Sequence, residues 1–137
     1  MITLAQYFGP WWAHPDHTPE RTESAHALLD ACEKMEAEMV SAGVVFVTNP
    51  KTGSQVSGSL YGGFRQQSCP IGTPHSAHKE GLAVDRYDPL DHIDAWLMAH
   101  QDALARHGIY IESPDSTSGW SHWTIRPPGS GNHIFIP

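Results

Sequence analysis

Residues 74–89 read Pro-His-Ser-Ala-His-Lys-Glu-Gly-Leu-Ala-Val-Asp-Arg-Tyr-Asp-Pro and hold two histidines and three carboxylates. His78 and Asp85 are seven residues apart, which is too far for neighbouring positions on one helix face. Gly81 and the short apolar run after it favour a loop, a turn and then a strand at residues 82–87. Because side chains alternate along a strand, Asp85 then faces one side of a rigid element, towards a histidine in the preceding loop.

Imidazole and carboxylate together form a ligand set that suits zinc. A catalytic zinc site takes three protein ligands and leaves one position for water. The best third candidate is His122, which interrupts an aromatic and β-branched run at residues 119–125. Cys69 is an alternative ligand, because sulfur also binds zinc well. From the residues alone, His78, Asp85 and His122 predict a metal site and nothing more specific.

Three stretches of sequence carry a further signal. They are Gly-Gly-Phe-Arg at 62–65, Ser-x-His-x-x-Gly-x-Ala-x-Asp at 76–85 and Trp-Ser-His at 120–122. Together they resemble the D-alanyl-D-alanine carboxypeptidase family of zinc metallopeptidases. The wider group includes cell-wall carboxypeptidases, D-Ala-D-Ala dipeptidases and phage endolysins, and it shares its fold with hedgehog signalling domains. The resemblance implies zinc ligands at His78, Asp85 and His122 and a substrate-contacting arginine at Arg65.

The same resemblance implies a function. It indicates a zinc-dependent peptidase that hydrolyses peptide bonds in peptidoglycan stem peptides or other D-Ala-D-Ala-type peptides. The enzyme would be a D,D- or L,D-carboxypeptidase or endopeptidase encoded by a phage or prophage. Arg65 would then hold a carbonyl or carboxylate oxygen in the fork of its guanidinium. The alternative is a virion or binding protein that keeps the fold and the zinc without being catalytic.

The general base is the element of this chemistry that the sequence marks least clearly. Family members commonly carry Glu, Asp or His two or three residues before the last histidine ligand, where this chain has Gly-Trp-Ser at residues 119–121. The nearest upstream carboxylates are Glu112 and Asp115, which are therefore the main candidates. His75 and His133 are further candidates. This gap in the pattern favours the non-catalytic alternative.

The remaining hydrophobic pattern predicts an α+β domain. Thr18 caps and Pro19 begins a helix whose apolar residues recur every three or four positions until Gly43. A second helix is predicted at residues 89–108, with Asp88 as its cap. Strands are predicted at residues 44–48, 82–87, 109–112, 120–125 and 133–136. This order predicts two main helices packed on a small antiparallel sheet, in the hedgehog-like arrangement that the resemblance implies.

Bulk properties predict where the protein acts and what it does not bind. Residues 1–137 are expected to form one zinc peptidase-like domain, on which residues 1–17 pack as an aromatic N-terminal segment. The formal net charge of −7 argues against a nucleic-acid partner. No secretory signal or membrane span is recognisable. We therefore expect synthesis in the cytoplasm without a signal peptide, and action at the cell wall after phage lysis or as a virion component.

Overall fold

A computed structural model describes residues 1–137 and contains four α-helices and four β-strands. The helices are α1 (Leu4–Phe8), α2 (Pro19–Ser41), α3 (His92–Ala99) and α4 (Gln101–His107). The strands are β1 (Ala83–Tyr87), β2 (Tyr110–Glu112), β3 (Trp120–Thr124) and β4 (Ile134–Phe135). Three short 3-10 turns occupy Gly9–Trp11, Ala77–Glu80 and Pro114–Ser116. This composition confirms the predicted α+β class.

The four strands form one mixed sheet in the order β1-β3-β2-β4. Strand β3 is antiparallel to both β1 and β2, but β4 is parallel to β2. The prediction of an antiparallel sheet is therefore wrong for β4. After β3 the chain passes through a link rich in proline and glycine and reaches the far side of β2. There β4 runs opposite to β3, and hence in the same direction as β2.

Helix α2 follows its local sequence signals. The Thr18 hydroxyl accepts a hydrogen bond from the Arg21 amide, and Pro19 occupies the first helical position, where it loses no hydrogen bond. The buried face of α2 contributes five residues to the hydrophobic core: Ala25, Leu28, Cys32, Met35 and Met39. The prediction of this helix is confirmed. It could be made from the sequence because the cap, the proline and the apolar period all lie in one continuous stretch.

The second predicted helix is divided into two. Its N-cap residue is Asp91 instead of Asp88, and α3 begins at His92 instead of Pro89. The Asp88 carboxylate nevertheless accepts the amides of Ile93 and Asp94 in the first turn. The helix then breaks at His100, whose Nδ1 is 2.8 Å from the Trp96 carbonyl oxygen. That carbonyl is the acceptor that the His100 amide would use in a continuous helix. The His100 ring thus takes the place of the His100 amide at the Trp96 carbonyl. Helix α3 therefore ends before His100, and α4 begins as a separate helix.

Residues 44–48 belong to no strand, so the prediction of a strand there is wrong. The outer edge of β1 is one of the two edges of the sheet to which such a strand could add. That edge is already occupied, because the Gln55 carbonyl and the Ser57 amide bond to the β1 backbone. Phe46 instead packs its ring against the Arg86 guanidinium, at 4.6 Å.

The aromatic N-terminal segment lies against the elements that carry the site. Tyr7 and Phe8 are buried in α1, whereas Trp12 remains about half exposed. The Tyr7 hydroxyl donates to the Ala83 carbonyl at the start of β1, and the Tyr7 carbonyl accepts from the Phe64 amide. Helix α1 therefore braces both β1 and the loop that contains Phe64. None of the helices combines the length and apolarity needed to cross a lipid bilayer.

Candidate metal centre

His78 lies on the 3-10 turn that leads into β1 and is almost fully buried. The turn ends at Gly81, which has a left-handed backbone with φ of 77°. A Cβ atom at this position would also come within 2.8 Å of the Arg21 carbonyl oxygen. Only glycine satisfies both conditions. Gly81 therefore sets the sharp change of direction that turns His78 towards the strand that follows.

Asp85 and His122 are brought together by the sheet, because the register of β1 and β3 places them directly opposite each other. Opposite residues of an antiparallel pair project to the same side. Asp85 Oδ1 lies 2.7 Å from His122 Nδ1 and 3.3 Å from His78 Nε2. The three side chains each offer one ligand atom, and these atoms lie within 4.8 Å of one another. This buried cluster could hold a metal ion.

The hydrogen bonding of His78 indicates which of its nitrogens is free. Its Nδ1 is 2.8 Å from the Gly63 carbonyl oxygen, which can only accept, so Nδ1 carries the proton. In the neutral ring, Nε2 then presents a lone pair. This Nε2 atom is buried and has no hydrogen-bond partner. A buried nitrogen is rarely left unpaired, and a metal ion would supply the missing partner.

The charge of Asp85 suits a metal ligand. Burial by itself would raise the pKa of this carboxyl group, but the adjacent His78 and the hydrogen bond from His122 outweigh that effect, so the pKa lies below its usual range. Arg65 Nη2 is 3.3 Å from the other carboxylate oxygen. A carboxylate must be deprotonated to bind a metal. The surroundings therefore keep Asp85 in its ligating form.

Residues 62–65 support the cluster from behind, a role that sequence analysis did not assign to them, since it singled out only Arg65 and only as a substrate contact. The Gly62 carbonyl accepts from the Asp85 amide at 2.7 Å, and the Arg65 amide donates to the His78 carbonyl at 3.2 Å. A Cβ atom on Gly63 would lie 2.1 Å from the Tyr7 carbonyl oxygen, so this position accepts no side chain. The two adjacent glycines were the only sequence feature that pointed to this close packing. The backbone carbonyl that orients His78 could not be identified from the sequence, because every residue type has one.

The cluster opens into a cleft of about 510 Å³. Glu112 lines it at the end of β2, and its Oε1 is 4.0 Å from His122 Nε2. Arg65 lines it as well and is 8% exposed. Arg126, which sequence analysis did not single out, also contributes to the wall. The cleft thus combines a metal-ligand cluster, a free carboxylate and two guanidinium groups.

The other sequence candidates lie outside the cleft. Asp115 is exposed on a 3-10 turn, and His75 is exposed on the loop before His78. The His133 ring stacks on Tyr110 and its Nδ1 is 2.8 Å from the Ile109 carbonyl oxygen. Cys69 is buried and unpaired, and its carbonyl accepts a hydrogen bond from Lys79 Nζ. None of these four side chains lines the cleft.

A second group of ligand-type side chains lies at the start of α3. It consists of Asp88, Asp91 and Asp94, whose carboxylate oxygens also come within 4.8 Å of one another. Both oxygens of Asp88 accept backbone amides, and both oxygens of Asp94 accept the hydroxyls of Thr117 and Ser121. The buried oxygens of this group are therefore already satisfied within the protein.

No protein-family model matches the sequence, and no match is found among curated proteins or solved structures. A functional assignment therefore depends on the chemistry of the cleft.

Proposed function

We propose that this protein is a zinc metallopeptidase of the D-alanyl-D-alanine carboxypeptidase type, with a hedgehog-like fold, that hydrolyses peptide bonds in peptidoglycan stem peptides. One observation carries the proposal. His78 Nε2 is buried without a partner and points to the same place as Asp85 and His122. Two imidazoles and one carboxylate are a ligand set found in catalytic zinc sites.

The proposed ligands are His78, Asp85 and His122, and their spacing suits one small ion. Tetrahedral zinc with bonds of about 2.0–2.1 Å separates its ligand atoms by about 3.3 Å. The distance from His78 Nε2 to Asp85 Oδ1 is 3.3 Å. His122 Nδ1, which donates to Asp85 Oδ1 at 2.7 Å, would have to lose its proton and move away from that oxygen to become a ligand. Bound zinc would supply a Lewis acid that polarises a scissile carbonyl and acidifies the attacking water.

Arg65 is the proposed substrate-contacting residue. Its Nε donates to the Tyr61 carbonyl and its Nη2 to Asp85, which together fix the guanidinium in the plane of those bonds. Its Nη1 makes no hydrogen bond within the protein and remains available to a substrate oxygen. A fixed donor next to the reacting carbonyl stabilises negative charge as it develops there. Arg65 would therefore bind substrate and stabilise the transition state.

Glu112 is the proposed general base. It is the one acidic side chain besides Asp85 that lines the cleft, and it lies beside the ligand His122. From this position its carboxylate can accept a proton from water in the cleft and deliver it to a leaving amine. Asp115 is exposed outside the cleft, so it is the weaker of the two candidates.

The proposed substrate implies a setting for the reaction. A peptidase that acts on stem peptides works at the bacterial cell wall, and a small phage or prophage enzyme reaches it after lysis or as part of the virion. The net charge of −7 provides no general attraction to an anionic wall. Recognition must then come from the cleft itself, where Arg65 and Arg126 are located.

A non-catalytic zinc protein is the second candidate function. It is favoured by residues 119–121, where the related enzymes commonly carry a proton acceptor and this chain has none. Glu112 would then only hold His122 in place, as carboxylates commonly do for metal-bound histidines. In that case the protein would bind zinc and wall peptides but release no product.

Zinc content and product release would test the proposed function together. We expect one zinc per wild-type chain, and release of peptide or D-alanine from purified peptidoglycan. His78→Ala should lose both properties. His75→Ala is the matched control, since it removes an exposed histidine three residues away, and it should retain both. Full activity in His78→Ala, or a wild-type protein that binds no zinc, would overturn the assignment.

Substitution of the two carboxylates separates the enzyme from the binding protein. Glu112→Gln should lower the hydrolysis rate by about 10²- to 10⁴-fold with its zinc retained, because only the proton acceptor is removed. Asp115→Asn should behave as wild type. If Glu112 only orients His122, the same change should instead weaken zinc binding by about 10- to 100-fold.

A further inference from the structure

Arg126 continues a line of side chains that runs from the metal cluster to the outer part of the cleft. Trp120, His122 and Thr124 alternate along β3 and line the cleft, and Arg126 lines it one step further on. Strand β3 ends at Thr124, and residues 125–126 form a bend. Arg126 therefore belongs to the same wall as His122 but starts just past the end of that strand.

The Arg126 guanidinium is anchored through a single nitrogen. Nη1 donates both to the His75 carbonyl, at 2.7 Å, and to Glu80 Oε2, at 2.8 Å. Nε and Nη2 make no hydrogen bond within the protein. These two nitrogens form the side of the guanidinium that binds a carboxylate through two parallel hydrogen bonds. The side chain is thus held in position while its binding edge stays open.

Glu80 does not cancel this positive charge. The side chains of Arg126 and Glu80 are 39% and 42% exposed, so water screens their ion pair and weakens it. Of the eight Lys and Arg residues in a chain with net charge −7, Arg65 and Arg126 line the cleft. Arg65 lies against the ligand Asp85, so Arg126 is the cation left for a more distant part of a substrate.

We propose that Arg126 forms a subsite for a carboxylate of the substrate, on the part of the cleft wall just past the end of β3. The proposal rests on the proposed peptidase function and narrows its substrate class. The substrate is an acidic peptide long enough to reach from the metal cluster to Arg126.

Binding to the zinc-loaded protein would test the subsite without requiring turnover. The probes are stem peptides that carry a free glutamate carboxylate, and the same peptides with that carboxylate amidated. Wild type should bind the acidic form about tenfold more tightly, as expected for a charge-assisted pair at a partly exposed site. Arg126→Gln should bind both forms equally, whereas Arg126→Lys should keep part of the preference because it retains the charge.

Glu80→Gln is the control for a merely structural role. It removes the ion pair but leaves the Arg126 guanidinium and its bond to His75 in place. We expect this variant to prefer the acidic peptide at least as strongly as wild type. A loss of preference equal to that of Arg126→Gln would overturn the subsite, because it would show that the ion pair, and not the guanidinium, matters.

The remaining outcomes distinguish the two proposals. Equal binding of the two peptides by wild type, or a preference that survives Arg126→Gln, would overturn the subsite even if both peptides are hydrolysed. A preference that depends on Arg126, without hydrolysis of either peptide, would support the subsite and overturn the catalytic function. With hydrolysis, the effect of Arg126→Gln should be a tenfold rise in KM for the acidic peptide and little change in kcat.

Discussion

Two groups of ligand-type side chains lie close together in this protein, and they differ in how their polar atoms are satisfied. The first is His78, Asp85 and His122, and the second is Asp88, Asp91 and Asp94; in each, the ligand atoms lie within 4.8 Å of one another. In the first group a buried imidazole nitrogen has no partner. In the second, the buried oxygens accept amides and hydroxyls of the protein.

The same contrast appears in the acidity of the two groups. Two histidines lower the pKa of Asp85 against the effect of burial. Burial raises the pKa of Asp94, and the neighbouring Asp88 and Asp91 raise it further, so that it reaches about 6. A metal site needs a deprotonated carboxylate and an open lone pair. Proximity of ligand-type residues is therefore weaker support for a metal site than an unsatisfied donor atom.

The largest expected difference between the two groups is their response to zinc. Zinc at about 1,000 times its dissociation constant should raise the free energy of unfolding of wild type by about 4 kcal/mol. Asp85→Asn should lose most of this gain. Asp91→Asn should keep it, and asparagine tolerates the left-handed backbone at this position. Denaturant unfolding with and without zinc measures the effect; a loss in Asp91→Asn would reverse the comparison.

Substitution of Gly63 by alanine tests whether the Gly63 carbonyl, by binding His78 Nδ1, leaves His78 Nε2 free for a metal ion. Gly63→Ala should destabilise the protein by about 3 kcal/mol, because the new Cβ would collide with the Tyr7 carbonyl and displace the carbonyl that binds His78. Zinc affinity should fall with it. Gly129→Ala is the control, since a Cβ there meets no atom within 4 Å. Equal unfolding free energies in the two variants would contradict this account of the cluster.

Removal of Asp88 tests the structural role of the second group. Asp88→Ala deprives the amides of Ile93 and Asp94 of their acceptor and should destabilise the protein by about 1–2 kcal/mol. Asp88→Asn keeps one carbonyl acceptor and should cost less. Zinc binding measured by titration should be unchanged in both. A zinc affinity that depends on Asp88 would mean that the second group binds metal after all.

The smallest expected effect is the pH dependence that Asp94 contributes. Because its pKa is about 6 in the folded protein and near 3.8 otherwise, protonation favours the folded state. The stabilisation is complete below the unfolded pKa and is lost as the pH rises through about 6. Between pH 7 and pH 5, wild type should gain about 1 kcal/mol relative to Asp94→Asn. Urea unfolding of both proteins at the two pH values measures this difference, and parallel curves would contradict it.

The parts of the fold that were predicted correctly depend on neighbouring residues. Helix α2 carries its cap, its first-turn proline and its apolar period in one continuous stretch. The strand with Asp85 was predicted one residue too long, at 82–87, but with the correct alternation. The break of the second predicted helix at His100 has a local cause, but the errors in the sheet concern distant partners. Residues 44–48 have strand composition, yet the edge of β1 is taken by Gln55 and Ser57.

The candidate site shows the same difference between features that the sequence identifies and features that depend on distant contacts. His78, Asp85 and His122 were named because imidazole and carboxylate groups are recognisable by residue type. The Gly63 carbonyl was not identified, because a backbone oxygen occurs in every residue. Arg126 was not identified either, because an arginine is usually a charged surface residue. Their roles follow from what lies next to them. Glu112 and Asp115 were both candidates on the sequence, and their positions relative to the cleft now separate them.

The sequence by itself determined the α+β class, the first long helix and the residues that can ligate a metal, because these depend on side-chain chemistry and short-range periodicity. Only the tertiary structure decided that β4 runs parallel to β2, that Asp85 and His122 stand opposite each other and that one nitrogen of His78 lacks a partner. These properties arise from contacts between residues far apart in the chain. In the folded protein, several segments compete to pair with one strand edge, and several polar groups compete for one hydrogen-bond partner.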